Sequence, residues 1–202
     1  MSLTVTKTSK NAHSWNISSN TGRNQKKFYS QVYIGSESEK KSQATVVFIQ
    51  DGKPEFIELA TDSIIKVPAI YDAYIQIRAI SNSQLVKVTL EGDLTMGLMQ
   101  AYINGDVYRP NNPIHGDPGS DSEYTFSINL DYPDNQTASE RSARIILEDN
   151  AGHSVYCDVI QSGAVPAITV TPTSVEVPAA GGSGTIMVSS NDEWFVSTVE
   201  NI

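Results

Sequence analysis

Cysteine is nearly absent: Cys157 is the single one in 202 residues, so no disulfide can close within the chain and cystine-stapled folds are excluded. Its apolar context, "VYCDVI", predicts a small buried thiol. Histidine is almost as scarce. His13, His115 and His153 each stand in polar, turn-rich sequence without a second ligand at close spacing, and no metal site is expected. Positive charge is also short, with 14 basic against 23 acidic residues and a formal charge of −9. Apart from Lys26-Lys27 and Lys40-Lys41 the basic residues are scattered, which argues against nucleic acid or anionic lipid as the main partner. No segment approaches the roughly 18 consecutive apolar residues of a membrane-spanning helix, so no membrane insertion is expected. The N-terminus "MSLTVTKTSKNAHSWN" lacks the pattern of an export leader. Neither a Gly-x-Ser-x-Gly elbow nor an activated cysteine pattern occurs, and the expectation is a chain without catalytic activity or cofactor.

What the sequence has is alternation. "TFSINL", "YIQIR" and "LVKVTL" repeat apolar residues with a period of two, as half-buried strands do. "ATVVFIQ", "ARIILE" and "VYCDVI" are β-branched apolar runs that predict strands buried on both faces. Turn chemistry separates them, in "SSNTG", "DYPDNQ", "EDNAG", "IQDGKP" and "AAGGSG". "DLTMGLMQAYIN" could form a short helix, since Leu94, Leu98 and Tyr102 recur every four residues, or equally a strand.

The chain also repeats itself. "FIQDGKP" at 48–54 and "VIQSGAVP" at 159–166 place Gln50 and Gln161 at a separation of 161 − 50 = 111 residues. The same offset pairs Trp15 with Phe126, Ile17 with Ile128, Ile34 with Ile145, Ile57 with Ile168 and Leu59 with Val170. After small shifts, "SIIKVPA" matches "SVEVPA" and "SNSQLVKV" matches "SNDEWFVSTV". A unit of about 111 residues follows, running from near Phe56 to near Val165. Three regions result: a partial N-terminal β module at 1–54, a complete module at 55–165, and the start of a further module at 166–202. The first matches only the rear half of the unit and the last only its front.

Two stretches resemble the Bacteroidetes-associated carbohydrate-binding often N-terminal (BACON) domain. Its opening pattern is carried by Pro172, Ser174, Gly181, Gly182, Ser190, Asn191 and Trp194. Its closing half is carried by Arg141, Ala143, Gly152, Val159, Gln161 and Gly163. The resemblance implies tandem immunoglobulin-like β-sandwich modules, an all-β fold, with Gln-x-Gly ending one module where glycine lets the chain turn. The central module departs from the pattern in the insertion-like stretch 91–123 and in having Leu85 where the third copy has Trp194.

In such a sandwich Trp15, Phe126 and Trp194 are expected as core anchors. Tyr71, Tyr74, Tyr102 and Tyr108 are the candidates for a ligand or partner surface, with Tyr132 also placed near the long loops. Asp117, Asp121 and Glu123 offer oxygen ligands but lack a full calcium-loop pattern, so a solvated loop is expected. The glycosylation patterns at Asn16 and Asn135 are read as chance. Similar domains are carried by virion proteins of crAss-like phages, assembled in the bacterial host cytoplasm without an export signal. The resemblance therefore implies a virion structural protein, a head or tail fibre or decoration component. It would attach to other virion proteins through residues 1–54, and a homo-oligomer is expected. The alternative is a carbohydrate-binding module of a bacterial surface protein, taking a cell-surface glycan, whose leader has been removed and whose "MSL" is a cloning remnant.

Overall fold

The computed structural model describes residues 2–9, 12–36, 38–108, 114–116 and 121–198. All regular structure in them is β. In chain order the strands are β1 (Leu3–Lys7), β2 (His13–Ile17), β3 (Lys26–Ser36), β4 (Glu39–Gln50), β5 (Ile57–Leu59), β6 (Ile64–Val67), β7 (Ile75–Ser81) and β8 (Val86–Gly92). They continue as β9 (Gly97–Ile103), β10 (Asp106–Tyr108), β11 (Ile114–Gly116), β12 (Tyr124–Asp131), β13 (Arg141–Asp149), β14 (Ser154–Gln161), β15 (Ile168–Thr171) and β16 (Met187–Ser190).

β5 to β14 build an immunoglobulin-like sandwich of two five-stranded sheets, ordered β10-β9-β12-β7-β5 and β11-β8-β13-β14-β6. Pairing is antiparallel except between β14 and β6, where Val159 faces Ile65 and Gln161 faces Val67. The core lies between the sheets and gathers Ile77, Ala79, Val86, Phe126, Ile128, Leu130, Ile145, Leu147, Cys157 and Val159. Period-two burial puts these side chains inward and their neighbours outward. "ARIILE" and "VYCDVI" therefore differ from the expectation of strands buried on both faces. β13 and β14 bury alternate residues only, because each sheet packs against one other sheet and turns its second face to solvent. There Arg144 Nε donates to Asp158 Oδ1 at 2.7 Å and the guanidinium lies over the Tyr156 ring.

"DLTMGLMQAYIN" resolves as the strand β9, with Leu94 and Met96 buried just before it. The insertion-like stretch supplies β9 and β10 to one sheet and β11 to the other. Phe126 is fully buried as expected, but Trp15 is 62% exposed and Trp194 50% exposed. The reason is architectural. β1-β2, β3-β4 and β15-β16 are two-stranded ribbons, and a ribbon faced by at most another ribbon has far less of its inner side covered than a five-stranded sheet has. Trp15 on β2 meets the ring of Phe48 on β4, with centroids 5.6 Å apart.

Candidate functional site: two matching module junctions

The repeat spacing is not uniform. Lys26 pairs with Gln50 and Arg141 with Gln161, so the first hairpin spans 50 − 26 = 24 residues and the second 161 − 141 = 20. The offset is 111 after the hairpin and 141 − 26 = 115 before it. Trp15 is thus equivalent to Leu130 and Ile17 to Tyr132. The constant offset of 111 placed Trp15 on Phe126, Ile17 on Ile128 and Ile34 on Ile145, because the longer β3-β4 hairpin absorbs four residues. Ile57 with Ile168 and Leu59 with Val170 keep their register: Ile57 faces Ser81 as Ile168 faces Ser190.

With this register, two sets of backbone bonds coincide. Asn20 Nδ2 donates to the carbonyls of Asn24 at 2.8 Å and Asp51 at 3.1 Å. Asn135 Nδ2 donates to those of Ser139 at 2.7 Å and Ser162 at 3.1 Å. Each asparagine also accepts from the backbone two residues on, from Gly22 and from Thr137. Lys53 N donates to Gly22 O and Ala164 N to Thr137 O. A methyl group on Gly52 would collide with the carbonyl of Arg23, and one on Gly163 with that of Ala138. The glycine of Gln-x-Gly is therefore required by close backbone approach.

The following module closes the joint with its own asparagine. Asn82, fully buried, donates from Nδ2 to the carbonyls of Lys53 and Pro54, both at 3.2 Å, and accepts at Oδ1 from Phe56 N at 3.1 Å. Asn191 donates to Val165 O at 3.0 Å and accepts from Ala167 N at 2.8 Å. A side-chain amide that both donates and accepts can satisfy a linker that has left its sheet ladder. The backbone carbonyls of the same asparagines reach back across each joint, from Asn82 to Arg23 Nη1 at 2.9 Å and from Asn191 to Ala138 N at 3.2 Å.

The first junction carries an added layer. Arg23 N donates to Asp121 O at 2.7 Å, and Lys53 Nζ lies 3.6 Å from Glu123 and 3.4 Å above the Phe56 ring. Of the acidic-loop residues, Asp121 and Glu123 thus serve the junction, while Asp117 lies outside the described residues.

The last-strand glutamines differ in completeness. Gln161 Nε2 donates to Ala69 O and Pro133 O at 3.0 and 2.9 Å, and its Oε1 accepts from Arg141 Nε and Nη2 at 3.2 and 2.8 Å. Gln50 Nε2 donates to Ser18 O at 3.0 Å, the equivalent of Pro133, but its buried Oε1 has no partner. Lys26 stands where Arg141 does, and among the described residues no carbonyl takes the place of Ala69.

The candidate tyrosines do not converge. Tyr71 and Tyr74 share the β6-β7 loop, where Tyr71 packs edge-on against Tyr132 at 5.1 Å between centroids. Tyr132 is buried, its hydroxyl donating to Asp72, and burial foremost, with Asp72 second, pushes that hydroxyl's pKa up. Tyr102 lies on β9 opposite Ser127. With Gln76, Arg78, Gly105, Thr125 and Ser127 it lines a shallow depression of about 290 Å³ on the outer sheet face. Tyr108 ends β10 opposite Ala101. His13 sits in β2, His115 in β11, and His153 Nδ1 is 2.8 Å from Asp149 Oδ2. Among the described residues no three His, Cys, Asp or Glu side chains gather as a metal site would need. The Asn135 side chain is buried and spent on the junction.

No family model matches the chain, and no curated protein does. Among solved structures it is similar to a Bacteroides ovatus GH5 xyloglucanase, at 12% identity over 54% of this chain and 19% of that one, with a TM-score of 0.33. It is also similar to BcpA, the major pilin subunit of Bacillus cereus, at 7% identity over 82% and 63% of the two chains, TM-score 0.35. A third is protocadherin gamma B2 extracellular cadherin domains 1–5, at 12% over 95% and 38%, TM-score 0.36. The chain spans less than two thirds of the length of each of the three.

Proposed function

We propose that this chain is a non-enzymatic structural protein, a jointed multi-module segment of a virion fibre or decoration that attaches through residues 1–54. The observation that carries the structural part of this reading is the pair of matching junctions. Linkers of free tethers are unbonded to the modules they join, whereas both linkers here are held by asparagine amides and by glycines pressed on backbone. Such joints suit a spacer that transmits position. The attachment part rests on the outer face of the β3-β4 ribbon. Where the central module has Arg144 and Asp158, that ribbon has exposed Tyr29 and Val47, with Ile49 beside them. Apolar strand faces of this kind are stabilised by burial against a partner. The virion context follows the BACON resemblance alone.

Mass spectrometry and antibody labelling of purified phage particles test the reading. Recovery at stoichiometric copy number in the particle is expected. Recovery from a bacterial outer-membrane fraction instead would favour a second reading, a glycan-binding module. That reading has its own observation. The cross-strand rows Gln76-Asn129-Gln100 and Arg78-Ser127-Tyr102 set amides, a guanidinium and one ring on a single sheet face.

A further inference from the structure

We propose that the central module bears tension along the chain, with the parallel seam between β6 and β14 as its mechanical clamp. The chain enters the sandwich at one pole, where Asn82 holds Lys53, Pro54 and Phe56. It leaves at the other, where Ser162 N and Ala164 N donate to Val67 O and Thr137 O. β14 runs between the two: the turn before it meets the first pole, with Asn150 N donating to Ser83 Oγ at 2.9 Å, and its end lies at the second. Tension on the linkers therefore runs along the strands. β5 is held to β7 by three pairs, so under load it leaves first and the tension passes to β6.

β6 and β14 run parallel, with Ile64 to Val67 beside Asp158 to Gln161. Tension draws β6 by its start and β14 by its end. The strands are pulled past each other, every bridging bond shares the load, and all must break together. Had the pairing been antiparallel, both loaded ends would lie together and the bonds would open in turn. The seam is closed at each end, by Asp158 N donating to Ser63 O at 2.8 Å and Ser162 N to Val67 O at 3.0 Å. Side chains lengthen it, Cys157 Sγ donating to Asp62 O at 3.2 Å and Gln161 Nε2 to Ala69 O at 3.0 Å. On its other edge β14 is held to β13 by eight pairs, so the four-pair seam is the part that yields. Such a clamp deepens the spacer role proposed above, yet it holds or fails in the isolated chain, whatever particle carries it.

The test stretches the full chain by single-molecule force spectroscopy in two directions. Handles at the two termini load the seam in shear. A handle on Ile70→Cys, at a position 70% exposed just past β6, paired with the C-terminal one, loads both strands at one end and unzips them. Cys157 is buried and does not compete for the handle. Rupture in shear releases about 340 Å, from 161 − 63 = 98 residues at about 3.5 Å each, against about 80 Å for the β3-β4 hairpin. At equal loading rate that event is expected at no less than about twice the force needed through Ile70→Cys. Because Ser63 O and Val67 O face β14, the N–H of Ile65 faces it too, and that of Lys66 turns to the free edge. Ile65→Pro should lower the end-to-end force toward the unzipping value, and Lys66→Pro should leave it unchanged. Equal forces in the two directions would overturn the clamp, as would an equal loss in the two proline variants.

Discussion

The β3-β4 and β13-β14 hairpins share a hydrogen-bond skeleton and differ in fate. Both end on glutamine, both turn through a glycine pressed on the preceding loop, and both are held by an asparagine two residues before a backbone bond. Yet the inner face of β13-β14 is buried, with Ile145, Leu147, Cys157 and Val159 all at 0% exposure, while that of β3-β4 is half-covered, with Val32 and Val46 exposed. Local pairing needs only the hairpin's own residues, whereas burial needs the opposing sheet. Stability in the two hairpins should therefore diverge at equivalent positions.

The largest divergence is expected in the core face. Leu147→Ala should cost about 2–5 kcal/mol in denaturant unfolding, and its counterpart Val32→Ala less than about 1 kcal/mol in the unassociated chain. Equal losses would break the comparison. Next come the glutamines. Gln161→Ala strips partners from Arg141 and from the carbonyls of Ala69 and Pro133 and should cost about 1–3 kcal/mol; Gln50→Ala, with one bond to lose, should cost about 1 kcal/mol or less.

The junction asparagines follow. Asn82→Ala should cost about 1–3 kcal/mol and Asn191→Ala about 1 kcal/mol, with faster chymotryptic cleavage after Phe56 in the Asn82 variant as the readout that separates a loosened joint from a weakened core. Unchanged cleavage in the Asn82 variant would sink the clamp. The smallest effect concerns Cys157, whose thiol is pushed up to about 11, chiefly by burial. Because the folded value lies above the unfolded one, its contribution is intact below about pH 9 and lost as the pH climbs toward 11. Near-neutral thiol labelling of the native chain should be negligible and should appear on unfolding.

Much of this was legible in the residues. Alternation gave the strands, the Gln-x-Gly repeat marked both junctions, and the apolar setting of Cys157 gave its burial. Three things were not. The four-residue excess of the first hairpin is invisible to a single offset, so Trp15 was aligned with Phe126 when its bonds make it the partner of Leu130. Trp15 and Trp194 were expected inside because large aromatics usually are, but a side chain's burial belongs to whatever faces it. The clamps built by Asn82 and Asn191 left a signal, the matching "SNS" and "SND". Nothing local says that such an amide reaches a linker some 26 residues back, since the contact exists only once the sheets have formed.

The matched joints bear on how such a chain can change length. Asn20, Gly52 and Asn82 at one boundary do the work of Asn135, Gly163 and Asn191 at the other. A segment cut at equivalent points in the two linkers carries half of each joint, and its cut ends fit any other copy so cut. Unequal recombination between repeats would then add or delete a whole unit while keeping the asparagine and glycine contacts the two joints share, though not the Asp121 and Glu123 layer of the first. Length is a heritable variable that needs no new contact to be invented.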